Sequence, residues 1–387
     1  MMKASSEVLP IRLEATLGCT PQQVQNLDGK VMNRTANSAG GAVFLKLLPG
    51  RAIWRMPFRF HLAKMLGSRY SSRCVLFHDI SDRPSLFTNG IGITLAKSDF
   101  EDKIRFLAHH YAPVSLEEVL NGSGNCKGRR PVLVTFDDAY ASVALEAAPI
   151  CEKYDVPALF FVNGRFLDNQ DLALDNLICY VANTKGVAAV NSVARDVSKS
   201  KDLCLCSITE IIGEFLPLLS LKARSVFYER LADSAGVHPS VLAREAGLYL
   251  SSAQLQVLAL SNFEIGNHTY SHVHGRQLMA QDFAEEIDKN KAVLESITGK
   301  QIRAYSVPYG SSADLPGELV EYLQRSGHRS AFLVEGLANA PSADPYHLYR
   351  VSVQARNEAD FFSELEILPR LRSIRNAWLR RGAKENC

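Results

Sequence analysis

The sequence has no strong excess of charge and no long apolar run that is free of charged residues. Its 43 lysines and arginines nearly balance 41 aspartates and glutamates, for a formal net charge of +2. This small net charge gives no overall attraction to nucleic acid, and no Lys/Arg-rich stripe suggests base stacking, so the sequence argues against a nucleic-acid partner. No uncharged apolar stretch reaches the length of a membrane span. Because Glu7, Arg12 and Glu14 interrupt the N-terminal segment, we expect neither a secretory signal nor a transmembrane helix.

Cysteines in the paired spacing of structural zinc sites are also lacking. The eight cysteines are scattered, and only Cys204 and Cys206 lie close together. Their C-x-C spacing differs from the paired motifs of structural zinc sites. Scattered cysteines in a chain without a secretory signal are typical of buried, reduced thiols, so we expect no disulfide framework.

What the chain does contain is a regular alternation of short apolar runs with helix-like segments. The strand-like runs are 74–78, 132–136, 158–162, 263–266, 302–306, 331–334 and 349–353. Amphipathic segments between them predict helices, among them 98–107 with Ser98 as its cap, 142–154, 279–298 and 315–326. Strands that alternate with helices predict an α/β fold with a parallel sheet or barrel.

Two polar motifs follow strand-like runs and carry most of the chemical information. Asp137 and Asp138 end one apolar run, and His268 and His272 follow another. One carboxylate and two imidazoles make a three-ligand metal site with positions left open for water and substrate. The other carboxylate is then free to act as a general base. Either motif alone is weak, but their joint occurrence at strand ends favours a hydrolytic metal centre.

These residues resemble those of the NodB-homology polysaccharide deacetylases, also called carbohydrate esterase family four. That family carries a T-F-D-D motif, a later histidine motif and an R-x-P-Y-type motif, which correspond here to segments 135–138, 268–272 and 305–310. The resemblance covers roughly residues 72–165 and 255–355. It implies a distorted (β/α) barrel whose site lies at the carboxyl ends of the strands.

The resemblance also implies roles for the matching residues. Asp137 corresponds to the general base. The ligands of a divalent metal ion correspond to Asp138, His268 and His272. We expect Zn²⁺ first, with Co²⁺, Mn²⁺ or Ni²⁺ as alternatives. The backbone N–H of Tyr309 corresponds to the donor that binds the oxyanion, and the expected substrate-binding segment is Pro308, Tyr309 and Gly310.

The chain departs from the family pattern at the arginine that orients the catalytic aspartate. Where the family has that arginine, two residues before the proline, this chain has Ser306. Arg350, at a late strand, is the candidate substitute that would orient Asp137. A surface ion pair is the alternative interpretation of Arg350.

The general acid of the family has no clear counterpart here. His78, at the end of the first strand, and His347, before the last strand, are the candidates. His274 lies two residues beyond the histidine motif, and we expect it to face solvent.

The spacing of the motifs predicts five segments. We expect an N-terminal extension over 1–71, partly flexible and partly basic and amphipathic, and the first half of the barrel over 72–165. An inserted helical subdomain follows over 166–254, then the second half of the barrel over 255–355 and a basic helical tail over 356–387. The insertion is expected near the mouth of the site, as a substrate lid or as packing on the side of the barrel.

These features predict a metal-dependent carbohydrate N-deacetylase that acts on an N-acetylated sugar, glycan or lipid-linked sugar. A deformylase, an O-deacetylase, a cyclic-imide hydrolase and a non-catalytic glycan-binding barrel are the alternatives. Without an export signal, we expect a cytoplasmic, biosynthetic protein. Basic residues with interleaved aromatics near 51–73 and 370–384 leave peripheral contact with an anionic membrane open, beside ordinary packing on the barrel.

Overall fold

The structure is a computed structural model that describes residues 72–375, except 123–125, 127, 201, 341 and 356. The predicted N-terminal extension and the end of the predicted basic tail, 376–387, lie outside the described residues. Within the described part, no helix combines the length and the apolar character needed to cross a bilayer. Cys74, Cys151 and Cys179 are buried free thiols, but Cys126 is half-buried and Cys204 and Cys206 are exposed, so the expectation of buried thiols holds for only part of the set.

Short parallel strands form one sheet that curves into a barrel. In chain order the strands are β1 (Arg73–Phe77), β2 (Asp79–Ile80), β3 (Thr94–Leu95), β4 (Tyr111–Pro113), β5 (Arg130–Phe136), β6 (Ala158–Val162), β7 (Phe263–Asn267), β8 (Ala304–Ser306), β9 (Ser330–Leu333), β10 (Leu348–Tyr349) and β11 (Val351–Ser352). The order in the sheet is β10-β9-β8-β7-β6-β5-β1-β11, with β4 beside β5, while β2 and β3 form a separate pair. All these pairings are parallel. The predicted (β/α) barrel is therefore confirmed.

The sheet comes close to full closure at Arg350. Strand β10 pairs with β9, whereas β11 pairs with β1 at the opposite end of the strand order. Only Arg350 separates these two short strands, so the chain passes from one edge of the sheet to the other within one residue. The backbone N–H of Arg350 donates to the carbonyl oxygen of Leu333 at 2.8 Å, which ties the crossing point to β9.

Side chains along the strands alternate between the inside of the barrel and the surrounding helices. On β6, Phe160 belongs to the main core, while its neighbours Leu159 and Phe161 belong to a separate cluster. In that cluster the ring centroid of Phe161 lies 5.3 Å from that of Phe332 on β9. Because β7 and β8 separate these strands in the sheet, this contact must cross the barrel interior.

Helices cover the outside of the barrel. They are α1 (Lys97–His110), α2 (Leu116–Leu120), α3 (Ala148–Lys153), α10 (Lys289–Thr298), α11 (Gly317–Arg325) and α12 (Glu358–Phe362). The predicted cap of α1 is wrong: Ala96 holds the extended cap position, and Ser98 lies in the first turn. The predicted helix 279–298 is broken into a 3₁₀ turn, a π-helical turn (Ala284–Asp288) and α10, which ends at Gly299 with φ 67°.

Between β6 and β7 the chain forms a group of helices. They are α4 (Leu174–Lys185), α5 (Val187–Ser198), α6 (Ile208–Glu210), α7 (Leu221–Ala235), α8 (Pro239–Ala246) and α9 (Ser252–Leu260). Most of their apolar side chains form a core of their own, which Phe87 and Tyr140 from the first half of the barrel join. Helix α9 instead packs into the main core through Leu255 and Leu258. The predicted segment boundaries stay a prediction, but helices do fill the predicted insertion.

A buried charge cluster lies at the amino ends of the strands. Arg73 begins β1 and Arg130 begins β5, and both guanidinium groups contact the carboxylate of Glu366, whose side chain is 2% exposed. The Tyr111 hydroxyl donates to Glu366 Oε1 at 3.0 Å. Burial raises the pKa of Glu366, but the two arginines and their hydrogen bonds bring it below its ordinary value. This cluster lies at the end of the barrel opposite the polar motifs, so we assign it to stability.

Candidate metal centre and active site

Asp137 and Asp138 follow the carboxyl end of β5. The backbone N–H of Asp137 donates to the carbonyl oxygen of Phe77 at 3.1 Å, so the pairing with β1 continues one residue past the strand. The backbone then enters the left-handed region, with φ 71° at Asp138 and φ 57° at Ala139. Successive side chains on a strand point to opposite faces, and this turn lets both carboxylates line the same cavity.

The segment from His268 to His272 follows β7 as a compact turn. The backbone N–H of His268 donates to the carbonyl oxygen of Val162 at 3.2 Å, which ties the start of the turn to β6. Left-handed φ angles of 60° at Thr269 and 54° at His272 then fold the chain back. The two imidazoles therefore approach each other, with ring centroids 5.0 Å apart.

Three buried asparagines hold this turn in place. Asn163, directly after β6, donates to the carbonyl oxygens of His268 and Thr269. Asn267 Oδ1 accepts from the backbone N–H of Thr269 at 3.0 Å and from Asn290 Nδ2 at 2.7 Å. Buried side-chain amides that satisfy backbone groups in an irregular turn fix its geometry.

Asp138, His268 and His272 converge on one point. Oδ1 of Asp138 lies 3.3 Å from Nε2 of each imidazole, and the ligand atoms of all three residues lie within 4.8 Å of one another. That Asp138 oxygen is buried and has no hydrogen-bond partner among the described residues. A buried carboxylate oxygen without a donor is costly unless a cation occupies the point it faces. The three residues therefore fit a divalent metal ion, and one carboxylate with two imidazoles suits ions of the zinc type.

Each imidazole is oriented through its second nitrogen. His268 Nδ1 donates to the carbonyl oxygen of Ser306 at 3.0 Å, and His272 Nδ1 lies 3.1 Å from Asp175 Oδ2 in an ion-pair contact. With the proton on Nδ1, each Nε2 is left as an electron-pair donor toward the common point. Burial lowers the pKa of His272, but Asp138 and Asp175 raise it above its ordinary value.

Asp137 is held by Arg350, and its Oδ2 also lies 3.7 Å from Nε2 of His268. Arg350 Nη1 and Nη2 donate to the two carboxylate oxygens of Asp137, each at 2.7 Å. The Ser306 hydroxyl donates to Asp137 Oδ2 at 3.2 Å and accepts from Arg350 Nη2 at 2.7 Å. Burial raises the pKa of Asp137, but Arg350 and His268 bring it below its ordinary value. The two adjacent carboxylates therefore differ in their hydrogen bonds: Asp137 binds Arg350 and Ser306, whereas Oδ1 of Asp138 has no hydrogen-bond partner among the described residues.

The guanidinium of Arg350 reaches Asp137 through the barrel interior. Its Cζ lies 5.3 Å from the ring centroid of Phe161 and 5.9 Å from that of Phe332, and the side chain is fully buried. The small side chain of Ser306 leaves room for it. The surface ion pair that was the alternative for Arg350 is therefore wrong, because the crossing between β10 and β11 turns this side chain inward.

Tyr309 and Gly310 form a strained turn beside the histidines. Both have left-handed φ angles, 62° at Tyr309 and 71° at Gly310. A Cβ at Gly310 would lie 2.7 Å from the backbone nitrogen of Val334, so only glycine fits there. The backbone N–H of Tyr309 donates to no protein group in the described part of the chain. Pro308 precedes it as a buried residue.

His274 is not in solvent, and that expectation was wrong. Its side chain is buried, and its ring stacks on Tyr309 with centroids 3.6 Å apart. Its Nδ1 lies 3.2 Å from Oδ1 of Asp314, which is itself buried. Burial lowers the pKa of His274, although Asp314 opposes that effect. The turn at His272 and the distant Asp314 explain the position, and neither is visible in the local sequence.

The two candidates for the general acid differ in position. His78 follows β1 and lines the same cavity as the metal-ligand residues. Burial lowers its pKa, and the negative charges of Asp138 and Asp137 oppose that shift. His347 is half-buried and pairs with Asp344 at 2.8 Å, and it does not line that cavity.

The cavity has a volume of about 210 Å³. Six of its lining residues come from the predicted insertion, namely Phe166, Ala173, Asp175, Asn176, Ile212 and Tyr249. None of these residues was predicted from the sequence to line the site. Asp175 and Asn176 did carry a local signal, since they are polar and interrupt the apolar run of a helix. The insertion therefore contributes to the wall of the site, and packing on the side of the barrel does not describe it fully.

A sequence profile described as polysaccharide deacetylase matches residues 124–200 and 215–330. The matched residues include both aspartates of the site, both ligand histidines and Tyr309, but neither His78 nor Arg350. No curated protein matches the sequence.

Solved structures of deacetylases resemble this chain at low sequence identity. A de-N-acetylase from Aggregatibacter actinomycetemcomitans has a TM-score of 0.50 and 14% identity, over 76% of this chain and 100% of that chain. The Streptococcus pyogenes deacetylase PplD, in complex with acetate, has a TM-score of 0.48 and 14% identity, over 73% and 92%. IcaB from Ammonifex degensii has a TM-score of 0.46 and 18% identity, over 76% and 99%. The first of these similarities supports the barrel fold and nothing finer.

Proposed function

Since the chain belongs to the polysaccharide deacetylase family, we propose that it is a metal-dependent hydrolase that removes the N-acetyl group from an N-acetylated sugar, glycan or lipid-linked sugar. The products are acetate and a free amine. Family membership supports deacetylation of a carbohydrate. The metal dependence rests on the three converging ligands Asp138, His268 and His272. The choice of an amide over an ester is decided by the substrate panel described below.

The observation that carries this proposal is the convergence of Asp138, His268 and His272. Beside them lies a second carboxylate, Asp137, whose hydrogen bonds differ from those of Asp138. Asp138 Oδ1 faces two Nε2 atoms at 3.3 Å and has no hydrogen-bond partner in the described part of the chain. Asp137, one residue earlier, is paired with Arg350 on both oxygens. Two carboxylates in different environments divide their tasks, and here one suits a metal ligand and the other a base.

A divalent ion held by the three ligands supplies Lewis-acid activation of the acetyl carbonyl and of a water molecule. We assign Asp137 as the base that accepts a proton from the attacking water, with Arg350 and Ser306 as the groups that hold its two oxygens. The N–H of Tyr309, which has no protein acceptor, is assigned to the oxygen that becomes negative as the carbonyl carbon turns tetrahedral.

The leaving nitrogen needs a proton to depart as an amine. We assign that donor as His78, because its side chain lines the cavity from β1, whereas His347 lies outside the cavity. Imidazole exchanges protons near neutral pH, which suits this task. A His78→Gln variant should lower kcat and alter the pH profile of kcat, while His347→Ala should leave both unchanged.

The test of the proposed function is the release of acetate and primary amine by the full chain supplied with Zn²⁺. The substrates are N-acetylated sugars, nucleotide sugars and lipid-linked sugars, beside N-formylated, O-acetylated and cyclic-imide compounds. Asp137→Asn and His268→Ala remove the base and one ligand, and His347→Ala serves as the matched control. We expect amine and acetate release by the wild type and the control, with a loss of at least about 10²-fold in the other two.

Release from the formyl, O-acetyl or imide compounds alone would replace the N-acetyl bond by another bond on the same site. Zinc binding without release from any compound would favour a non-catalytic glycan-binding barrel. Contact with anionic membranes stays a prediction, because most of the two basic segments lies outside the described residues. A cytoplasmic location also stays a prediction. A liposome flotation assay with anionic vesicles tests the membrane contact.

A further inference from the structure

Two charged residues reach the site from the helices between β6 and β7. Asp175 lies on α4 and Arg224 lies on α7. Both side chains are largely buried, with 9% exposure of Asp175 and 6% of Arg224. Burying charged groups is costly unless they are paired and hydrogen-bonded, so the partners of this pair are informative.

Asp175 contacts the metal-ligand turn and the strained tyrosine with one carboxylate. Its Oδ2 lies 3.1 Å from His272 Nδ1 in an ion-pair contact. The Tyr309 hydroxyl lies 3.0 Å from both of its oxygens and donates to them. One group therefore contacts a ligand of the metal and also fixes the side chain of Tyr309, the proposed oxyanion donor.

Arg224 contacts the same two residues from another helix. Its Nη2 donates to the carbonyl oxygen of His272 at 2.7 Å, and its Nη1 donates to the Tyr309 hydroxyl at 3.3 Å. The aspartate thus holds the imidazole of His272 while the arginine holds its backbone. Both of them hold the Tyr309 hydroxyl.

The two residues that are held need support, because both have an unfavourable backbone. His272 has φ 54° and Tyr309 has φ 62°, in the left-handed region that is unfavourable for a non-glycine residue. On the other side of Tyr309, the ring of His274 stacks at 3.6 Å. The tyrosine is therefore clamped by its ring and by its hydroxyl, and its backbone N–H has little freedom to move.

Simple packing of the insertion does not account for these contacts. Packing would require only apolar side chains, which form the separate core of the insertion. Another carboxylate of the same segment, Asp171, binds Arg165 at 2.7 Å and the Tyr228 hydroxyl at 2.6 Å, and it contacts neither His272 nor Tyr309. Asp171 is therefore a carboxylate with a structural role, against which Asp175 can be compared.

We propose that Asp175 and Arg224 are positioning residues that hold the metal ligand His272 and the N–H donor Tyr309, so that the inserted helices form part of the active site. The part that concerns Tyr309 rests on the proposed deacetylase function. The part that concerns His272 requires only that the three ligands bind a metal.

The first test is zinc affinity, measured on the metal-free full chain by competition with a chromophoric chelator. Asp175→Ala should weaken Zn²⁺ binding about 10- to 100-fold, the usual effect of losing the partner of a ligand histidine. Asp175→Asn should lie between this variant and the wild type, because its amide oxygen still accepts from Nδ1 but has no charge. Asp171→Asn should bind Zn²⁺ as tightly as the wild type.

The second test separates positioning from substrate binding by kinetics at saturating Zn²⁺. Asp175→Asn and Arg224→Met should lower kcat about 10-fold or more and change KM less than about threefold, because the groups act on the reacting geometry and not on uniform substrate binding. Thermal unfolding of each variant shows whether it is folded. If Asp175→Ala does not fold, the isosteric Asp175→Asn decides the zinc comparison.

Three results would overturn the inference. One is wild-type zinc affinity in a folded Asp175→Ala or Asp175→Asn variant, and another is an equal loss of affinity in Asp171→Asn, which would indicate a general disturbance of the insertion. The third is a rise in KM with unchanged kcat. Failure of the proposed function has a different signature, since a wild type that binds Zn²⁺ but releases no acetate leaves the comparison of zinc affinities intact.

Discussion

Replacement of Arg350 by methionine tests the arrangement that sets this chain apart from the family pattern. The change keeps most of the side-chain length but removes the guanidinium. Four hydrogen bonds are lost, two to Asp137 at 2.7 Å, one to Ser306 at 2.7 Å and one to Thr135 at 3.3 Å. Asp137, only 3% exposed, is left without its counterion.

The structure sets the scale of the expected losses. Removing one partner of a buried ion pair typically costs about 3 to 5 kcal/mol of unfolding free energy. The carboxylate also loses the fork that fixes both of its oxygens, and a displacement of about 1 Å at a reacting group lowers the rate about 10²-fold. We therefore expect kcat/KM of Arg350→Met to fall about 10²- to 10³-fold, mainly through kcat. Arg350→Lys should lose less stability, since it keeps the charge, but it cannot restore the two-pronged contact.

The assay combines urea unfolding with acetate release at saturating Zn²⁺. Arg329→Met serves as the control, because Arg329 pairs with Glu117 on the surface at 2.8 Å, and such pairs contribute about 0 to 1 kcal/mol. If Arg350→Met kept kcat/KM within about threefold of the wild type, Asp137 would not depend on this arginine. If the control lost as much stability, burial of the pair would not be the reason.

Three further predictions concern the barrel. Glu366→Ala should lower the unfolding free energy by about 3 to 5 kcal/mol in urea titrations, because the buried Arg73 and Arg130 lose their shared carboxylate. It should leave kcat of the folded fraction unchanged. Burial raises the pKa of Glu364 to about 7, so the folded state keeps a proton that the unfolded chain releases near pH 4. The contribution of Glu364 to stability should therefore fall between about pH 4 and 7, and the difference in unfolding free energy between the wild type and Glu364→Gln should change by up to about 3 kcal/mol between pH 5 and 8. Gly310→Ala should destabilise the chain by about 1 to 3 kcal/mol and lower kcat, because a Cβ there meets the Val334 backbone at 2.7 Å with φ at 71°; an unchanged melting temperature would contradict this.

The departure at Ser306 shows how a barrel can supply an arginine from another place in the chain. The barrel nearly closes between β10 and β11, and the residue at that crossing is Arg350. Its side chain enters the interior between the aromatic rings and arrives at Asp137, 213 residues away in sequence. The sequence indicated a substitute at a late strand, but the reach of the side chain depends on the closure of the sheet.

The sequence alone was sufficient for the parts of the protein that local patterns encode. Apolar runs that alternate with amphipathic segments predicted the barrel, because strands of a covered parallel sheet are buried along their whole length and read as continuous apolar runs, while a helix on the outside buries only one stripe. Asp137, Asp138, His268 and His272 were found because each pair directly follows a strand-like run, and the carboxyl ends of parallel strands meet at one edge of a sheet. The two aspartates are adjacent and the two histidines are four residues apart, and both spacings can be seen directly in the sequence.

Only the tertiary structure decided which side chains support that centre. Asp175 is 134 residues from Tyr309 in sequence, and Arg224 is 48 residues from His272, yet both contact the site through hydrogen bonds. His274 was expected in solvent and is buried because Asp314 and Tyr309 meet it from distant segments. A buried charge is tolerated only where a partner lies within hydrogen-bond distance, and that distance is set by how helices and strands pack, not by their order along the chain.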